Sequence, residues 1–125
     1  MSFSQLPEAE FTVMQTIWGQ DVPISKTKIA KLLMPHRGWK PQTVRTLLDR
    51  LEEKSFLSSE KQGKERYYQP LVAREDYLRQ ETSRFLRDFH RNSLTGLMTS
   101  LIYDNNIDDK ELSDLTEWLA TKKRG

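Results

Sequence analysis

Trp39-Lys40-Pro41-Gln42-Thr43-Val44-Arg45-Thr46-Leu47-Leu48-Asp49-Arg50-Leu51 is the stretch of this 125-residue chain that says most about its architecture. Val44, Leu47, Leu48 and Leu51 fall at i, i+3, i+4 and i+7, which gathers them on one side of a helix wheel. Gln42 and Thr46 project from the opposite side. Thr43 and Arg50 lie on one flank and Arg45 on the other. Side chains of these types can hydrogen-bond base edges or phosphates, and they crowd into the first half of the helix, the end that enters a DNA major groove. An amphipathic helix with such a polar face is, in most proteins, simply a solvated helix, so the neighbouring segments carry the decision.

Upstream, Pro7 suits the first turn of a helix, where its missing N–H costs nothing. Phe11, Met14, Ile17 and Trp18 then recur at helical spacing until Gly19. Val22-Pro23-Ile24 reads as a short extended piece. Ser25 is placed to cap a second helix that carries Ile29, Leu32 and Leu33, with Pro35 as its expected end and His36-Arg37-Gly38 as the turn. Two short helices, the second amphipathic and polar outside, form a helix-turn-helix outline.

Past Lys54-Ser55 the period changes from helical to alternating. Residues 56–61 and 65–69 read as strands, with Gln62-Gly63-Lys64 as the turn between them. Lys61, Lys64 and Arg66 sit at or beside its tip. An isolated hairpin is barely stable in water, so it must pack on the helices before it. The expected fold is therefore mainly α: three helices and a β-hairpin wing make a winged helix-turn-helix over residues 1–70, and a helical dimerisation domain follows over residues 71–125.

In that second part, residues 73–91 are strongly helical and include Phe85 and Phe89. A next helix bears Leu94, Leu97, Met98, Leu101 and Ile102. After Asp104-Asn105-Asn106, Asp108 and Glu111 make a capping-box-like start for a last helix with Leu112, Leu115, Trp118 and Leu119, and Lys122-Lys123-Arg124 suits its negative C-terminal end. About fifty residues with such wide apolar faces have too little material to bury them within one chain. A second copy solves the problem, and two-fold symmetry matches a palindromic site on DNA. The alternative is that these helices fold back on their own winged helix.

Charge agrees with a nucleic-acid partner. The chain carries 20 Lys and Arg against 18 Asp and Glu, but the distribution is uneven. Between Asp21 and Asp49 there is no acidic residue, whereas Lys26, Lys28, Lys31, Arg37, Lys40 and Arg45 all fall there. A local positive field of that kind attracts a polyanion. The absence of cysteine excludes disulfides, thiolate metal sites and cysteine nucleophiles. No apolar run approaches the ~18 residues of a membrane helix and no signal-peptide pattern opens the chain, so a cytoplasmic protein with no membrane partner is expected. His36 and His90 stand far apart with no triad or ligand spacing, and the five glycines are isolated. No enzymatic activity, cofactor or metal is expected.

The string Pro41-Gln42-Thr43-Val44-Arg45-Thr46-Leu47-Leu48 with Arg50-Leu51 and Lys54 resembles the penicillinase-repressor family, the BlaI/MecI group. Ala9-Glu10-Phe11, Val13-Met14 and Ile17-Trp18 are similar to that family's first helix, and Tyr67-Tyr68 to its wing. The resemblance implies a homodimeric transcriptional repressor that binds double-stranded DNA at a pseudo-palindromic promoter operator. Gln42, Thr43 and Thr46 would then face bases. Lys40, Arg45 and Arg50 would sit at phosphates or the groove edge, with Lys61, Lys64 and Arg66 acting from the wing. Phe85, Phe89, Leu94, Leu97, Met98, Leu101, Ile102, Leu112, Leu115 and Leu119 are the candidate dimer interface. Asp49, one turn after Arg45, is expected to pair with it or to accept from a cytosine amino group.

Three departures from the family pattern matter. Its β-lactam-responsive members are released by cleavage of an Asn-Phe bond, and Ser100-Leu101 stands at the matching place. Its copper-responsive members use a Cys-x-Cys site, which this chain lacks. Ser55 occupies a position after the recognition helix where the family often has glycine and where a left-handed backbone is favoured. A competing reading makes the winged helix a protein-interaction module without DNA, with Asp49 and Glu53 on its outer face.

Overall fold

The computed structural model describes residues 2–124, and for His36 and Arg124 the backbone alone. The chain runs α1 (Glu8–Trp18), β1 (Ile24–Ser25), α2 (Lys26–Arg37), α3 (Pro41–Glu53), β2 (Leu57–Gln62), β3 (Glu65–Pro70), α4 (Arg74–His90), α5 (Leu94–Tyr103) and α6 (Asp109–Arg124). It divides into two compact units, Met1–Glu81 and Thr82–Gly125.

The first unit is a winged helix-turn-helix. Its core takes Val13, Met14 and Ile17 from α1, Ile29 and Leu33 from α2, and Val44, Leu47, Leu48 and Leu51 from α3. Burying each of the four α3 side chains contributes about 1.5–3 kcal/mol, which fixes the rotation of that helix and leaves its polar side outward. Ser25 caps α2 as its spacing predicts: its Oγ accepts from the Lys28 N–H at 3.1 Å. Pro41 opens α3 at a position that needs no N–H.

The end of α2 differs from expectation. Pro35 lies inside the helix, which continues through His36 to Arg37. In a last turn proline forfeits a single backbone bond, so the helix tolerates it. Gly38 is the true terminator, with φ 64° and ψ 23°, and its N–H bonds the Met34 carbonyl at 2.9 Å. A side chain is strained at that angle.

α3 closes in a Schellman motif. The Phe56 N–H reaches back to the Leu51 carbonyl at 2.9 Å and the Ser55 N–H to that of Glu52 at 3.0 Å. Ser55 holds the left-handed position, φ 63°. The hairpin that follows turns at Gly63-Lys64, one residue tighter than the sequence suggested, with Gly63 at φ 66°. β1 joins it as a third strand, antiparallel to β3, giving the order β1-β3-β2.

The unit does not stop at Pro70. Tyr77 in α4 is 2% exposed, with its ring 5.5 Å from Phe56, 5.8 Å from Phe11 and 6.0 Å from Trp18. Its hydroxyl accepts from the Leu6 N–H at 2.8 Å. Trp18 Nε1 donates to the Val72 carbonyl at 2.9 Å, and Gln80 makes two hydrogen bonds with the backbone of Phe3. The N-terminal segment and the first two turns of α4 therefore wrap the aromatic side of the winged helix. Among the described residues one charged side chain enters this interior: Glu10, 2% exposed, accepts from Nζ of Lys54.

The second unit holds the end of α4 with α5 and α6. Ser93 caps α5 through the Gly96 N–H, and Asp108 Oδ1 accepts from the Glu111 N–H at 2.8 Å to start α6. Among the described residues from Thr82 onward none is buried. Among the described residues no helix is long and apolar enough to cross a membrane.

Candidate nucleic-acid interface

The polar side of α3 is set by the four leucine and valine anchors on its other side. Gln42, Thr43, Arg45 and Arg50 are exposed and Thr46 is half-buried. Lys40, the residue before the first turn, is exposed as well. Thr46 Oγ1 donates to the Gln42 carbonyl at 3.0 Å. Its hydroxyl proton is thus engaged within the helix, which leaves lone pairs and the methyl group for an outside partner. Such a group accepts from an exocyclic amino group or packs on a thymine methyl.

β2 and β3 pair with Ser59 opposite Tyr68 and Lys61 opposite Arg66. Because residues directly opposite share a face of the sheet, these four side chains lie together. They face α3 across a groove of about 520 Å³ lined by Lys26, Arg45, Asp49, Glu52, Lys61, Lys64, Glu65, Arg66 and Tyr68. The groove has five cations and three carboxylates, so it is positive but not uniformly so. The fold brings Arg45 of α3 together with Lys61, Lys64 and Arg66 of the hairpin. Gln42, Thr43, Thr46, Lys40 and Arg50 are not among the lining residues.

Lys26 is an addition that sequence reasoning did not single out. It opens α2, and its signal was membership of the acid-free window. Thr27 is another: its Oγ1 donates to Glu65 Oε2. That hydroxyl, more than any other group, holds the Glu65 carboxyl below its ordinary range, with Arg66 and Lys26 assisting. Tyr68 on the groove floor is 2% exposed. Burial raises its hydroxyl above the ordinary range, and the nearby Glu52 and Asp49 carboxylates add to the shift.

The expected ion pair between Arg45 and Asp49 is absent among the described residues. Both side chains point instead into the groove between helix and wing. Asp49, Glu52 and Glu53 all fall in the second half of α3. Carboxylates there repel phosphate, so the first half of the helix suits the closest approach to a polyanion.

In the second unit the candidate interface residues are half-buried or exposed throughout. Phe85 is 46%, Phe89 73%, Leu94 54%, Ile102 46% and Leu119 42% exposed. Leu97, Met98, Leu101, Leu112 and Leu115 are half-buried. Tyr103 and Trp118, not among the candidates, are also exposed, and Lys122 Nζ lies 5.1 Å from the Trp118 ring centre. Ser100-Leu101 lies inside α5.

Comparison with known proteins agrees with this geometry. The family model described as "Penicillinase repressor" matches residues 6–121. The penicillinase repressor of Bacillus licheniformis is 28% identical over 119 residues, covering 95% of this chain and 92% of the relative. The solution structure of the DNA binding domain of the repressor BlaI superimposes with a TM-score of 0.55 at 33% identity, over 61% of this chain and 92% of that one. The solution structure of the B. licheniformis BlaI monomeric form in complex with the blaP half-operator gives a TM-score of 0.53 at the same identity and coverage.

Proposed function

The chain belongs to the penicillinase-repressor family and is a DNA-binding transcriptional repressor, and from that premise we propose that it works as a homodimer on a pseudo-palindromic promoter operator. The observation that carries the reading is the shared face of α3 and the wing. A polar, acid-free half-helix stands beside a cationic groove, on a fold like that of a BlaI domain solved on half-operator DNA.

In this reading α3 lies in the major groove with its first turns deepest. Gln42, Thr43 and Thr46 face base edges. Lys40, Arg45 and Arg50 meet phosphates or the groove edge, and Lys61, Lys64 and Arg66 reach the backbone from the wing, with Lys26 beside them. Phosphate contacts set register and affinity, and the base contacts set sequence preference. Asp49 accepts from a cytosine amino group where the operator offers one.

The second unit supplies the symmetry. It has large apolar side chains and, among the described residues, none that is buried, and a second copy of the same helices covers them. Repression then follows from occupancy of a promoter in the cytoplasm, with no cofactor in the binding step.

The test is retention of fragments from a genomic library in a mobility-shift assay, with solution mass measured in parallel. A dimer retaining a small set of palindromic fragments is the expected result. Thr43→Ala with Thr46→Ala relaxes preference among those fragments. Lys64→Ala weakens all of them alike and lowers the log–log salt slope by about 0.9, the value of one phosphate contact. A chain that retains no fragment at low salt refutes the DNA reading, and a monomer at micromolar concentration refutes the dimer.

A further inference from the structure

We propose that Glu52 and Ser59 are positioning residues that hold the wing's Arg66 in place for a DNA phosphate, through a hydrogen-bonded relay running from the recognition helix to the hairpin. The inference rests on the DNA reading above.

The relay is visible atom by atom. Arg66 donates from Nη1 to Ser59 Oγ at 2.9 Å. Ser59 Oγ in turn donates to Glu52 Oε1 at 2.9 Å. A serine hydroxyl has one proton, so the chain has a direction, from guanidinium to hydroxyl to carboxylate. Both ends are ionised, and bonds of that kind are shorter and stronger than neutral ones. Register makes the geometry possible: with Ser59 opposite Tyr68 and Lys61 opposite Arg66, Ser59 and Arg66 are diagonal neighbours on the face turned to α3. Buried Tyr68 forms the floor beneath them.

The other cations of the wing differ. Among the described residues, the side chains of Lys61 and Lys64 make no hydrogen bond or ion pair. Arg66 is the one wing cation whose direction is fixed, and a second tie steadies its neighbour, since Thr27 at the start of α2 donates to Glu65. A two-stranded hairpin has little stiffness of its own. The relay and the Thr27 tie hold it from α3 and from α2, one on each of two successive residues of β3. Arg66 keeps its remaining N–H groups for an outside anion. A guanidinium already ordered loses little freedom on binding, and the ordering of one long side chain corresponds to about two- to tenfold in affinity.

The test measures binding of the full chain to a fluorescein-labelled mixed-sequence duplex over a series of KCl concentrations. Ser59→Ala cuts the relay while leaving both charges, so affinity falls about two- to tenfold with the wild-type salt slope. Ser59→Thr restores it. Arg66→Ala lowers affinity and also reduces the slope by about 0.9, and adding Ser59→Ala to it changes nothing further. Glu52→Ala and Glu52→Gln remove the same charge, but only glutamine keeps an acceptor for Ser59. Glu52→Ala therefore binds about two- to tenfold more weakly than Glu52→Gln, a comparison that holds even if a Ser59 variant folds poorly. Additive effects of Ser59→Ala and Arg66→Ala, or equal affinities for the two Glu52 variants, overturn the proposal. Wild-type chain that ignores the duplex at low salt overturns the DNA reading itself, a separate and recognisable outcome.

Discussion

Removing the ammonium group of Lys54 should destabilise the winged helix strongly for a change at its surface. Glu10 has 3% of its side chain exposed and Lys54 29%, so a Lys54→Met variant strands a carboxylate where water scarcely reaches. Losing one partner of a buried pair costs about 3–5 kcal/mol, because the remaining charge is uncompensated. Lys54 itself is partly solvated and water can enter the space it leaves, which places the expectation at the low end, about 3 kcal/mol. For the first unit, Met1–Glu81, each kcal/mol moves the melting temperature by about 4–8 °C, so a fall of about 12–24 °C follows. Urea unfolding followed by Trp18 and Trp39 fluorescence, in a Trp118→Phe background, reads that unit. Replacing both partners by methionine removes the stranded charge and should return stability to within about 1 kcal/mol of the parent. A cost below about 1 kcal/mol for Lys54→Met alone, or a double variant as unstable as the two singles added together, refutes the reasoning. Because Lys54 directly follows α3 and Glu10 sits on α1, the pair also sets how the recognition helix leans on the core, and Lys54→Met should weaken DNA binding.

Two further outcomes are specific. Ser55 sits at φ 63°, so Ser55→Gly should relieve a left-handed side chain and raise stability by about 1 kcal/mol, read as a higher urea midpoint; a lower midpoint would show that the Ser55 side chain stabilises the turn. Tyr68 has its hydroxyl raised by burial, then by Glu52 and Asp49. The folded form holds this proton more tightly than the unfolded chain, so its stabilising effect is complete below the unfolded value near 10 and is lost as pH rises through the folded value. In an absorbance titration of tyrosinate, the component missing from Tyr68→Phe should therefore titrate later than a free tyrosine, and a component at or below pH 10 would contradict the burial.

The local physics of the chain was legible along its length, because it depends on neighbours in sequence. Four apolar residues at helical spacing put Gln42 and Thr46 outside, Ser25 and Asp108 declared their caps, and Gly63 marked the hairpin. The same residues carried the family resemblance, so the winged helix and its amphipathic third helix could be named from letters alone. Pro35 misled, because a proline in a last turn removes one bond without ending the helix. Placement across the chain came only with the packed fold. Nothing near Tyr77 in sequence says that it enters the core of the first unit, since its partners Phe11, Trp18 and Phe56 lie in other elements. Glu10 with Lys54, Thr27 with Glu65, and Glu52 with Ser59 and Arg66 are likewise pairings between segments. Side-chain charge and hydrogen-bonding capacity are written in the chain, but which groups meet depends on how the helices and strands stack, and that is set by burial of apolar surface contributed by all of them together.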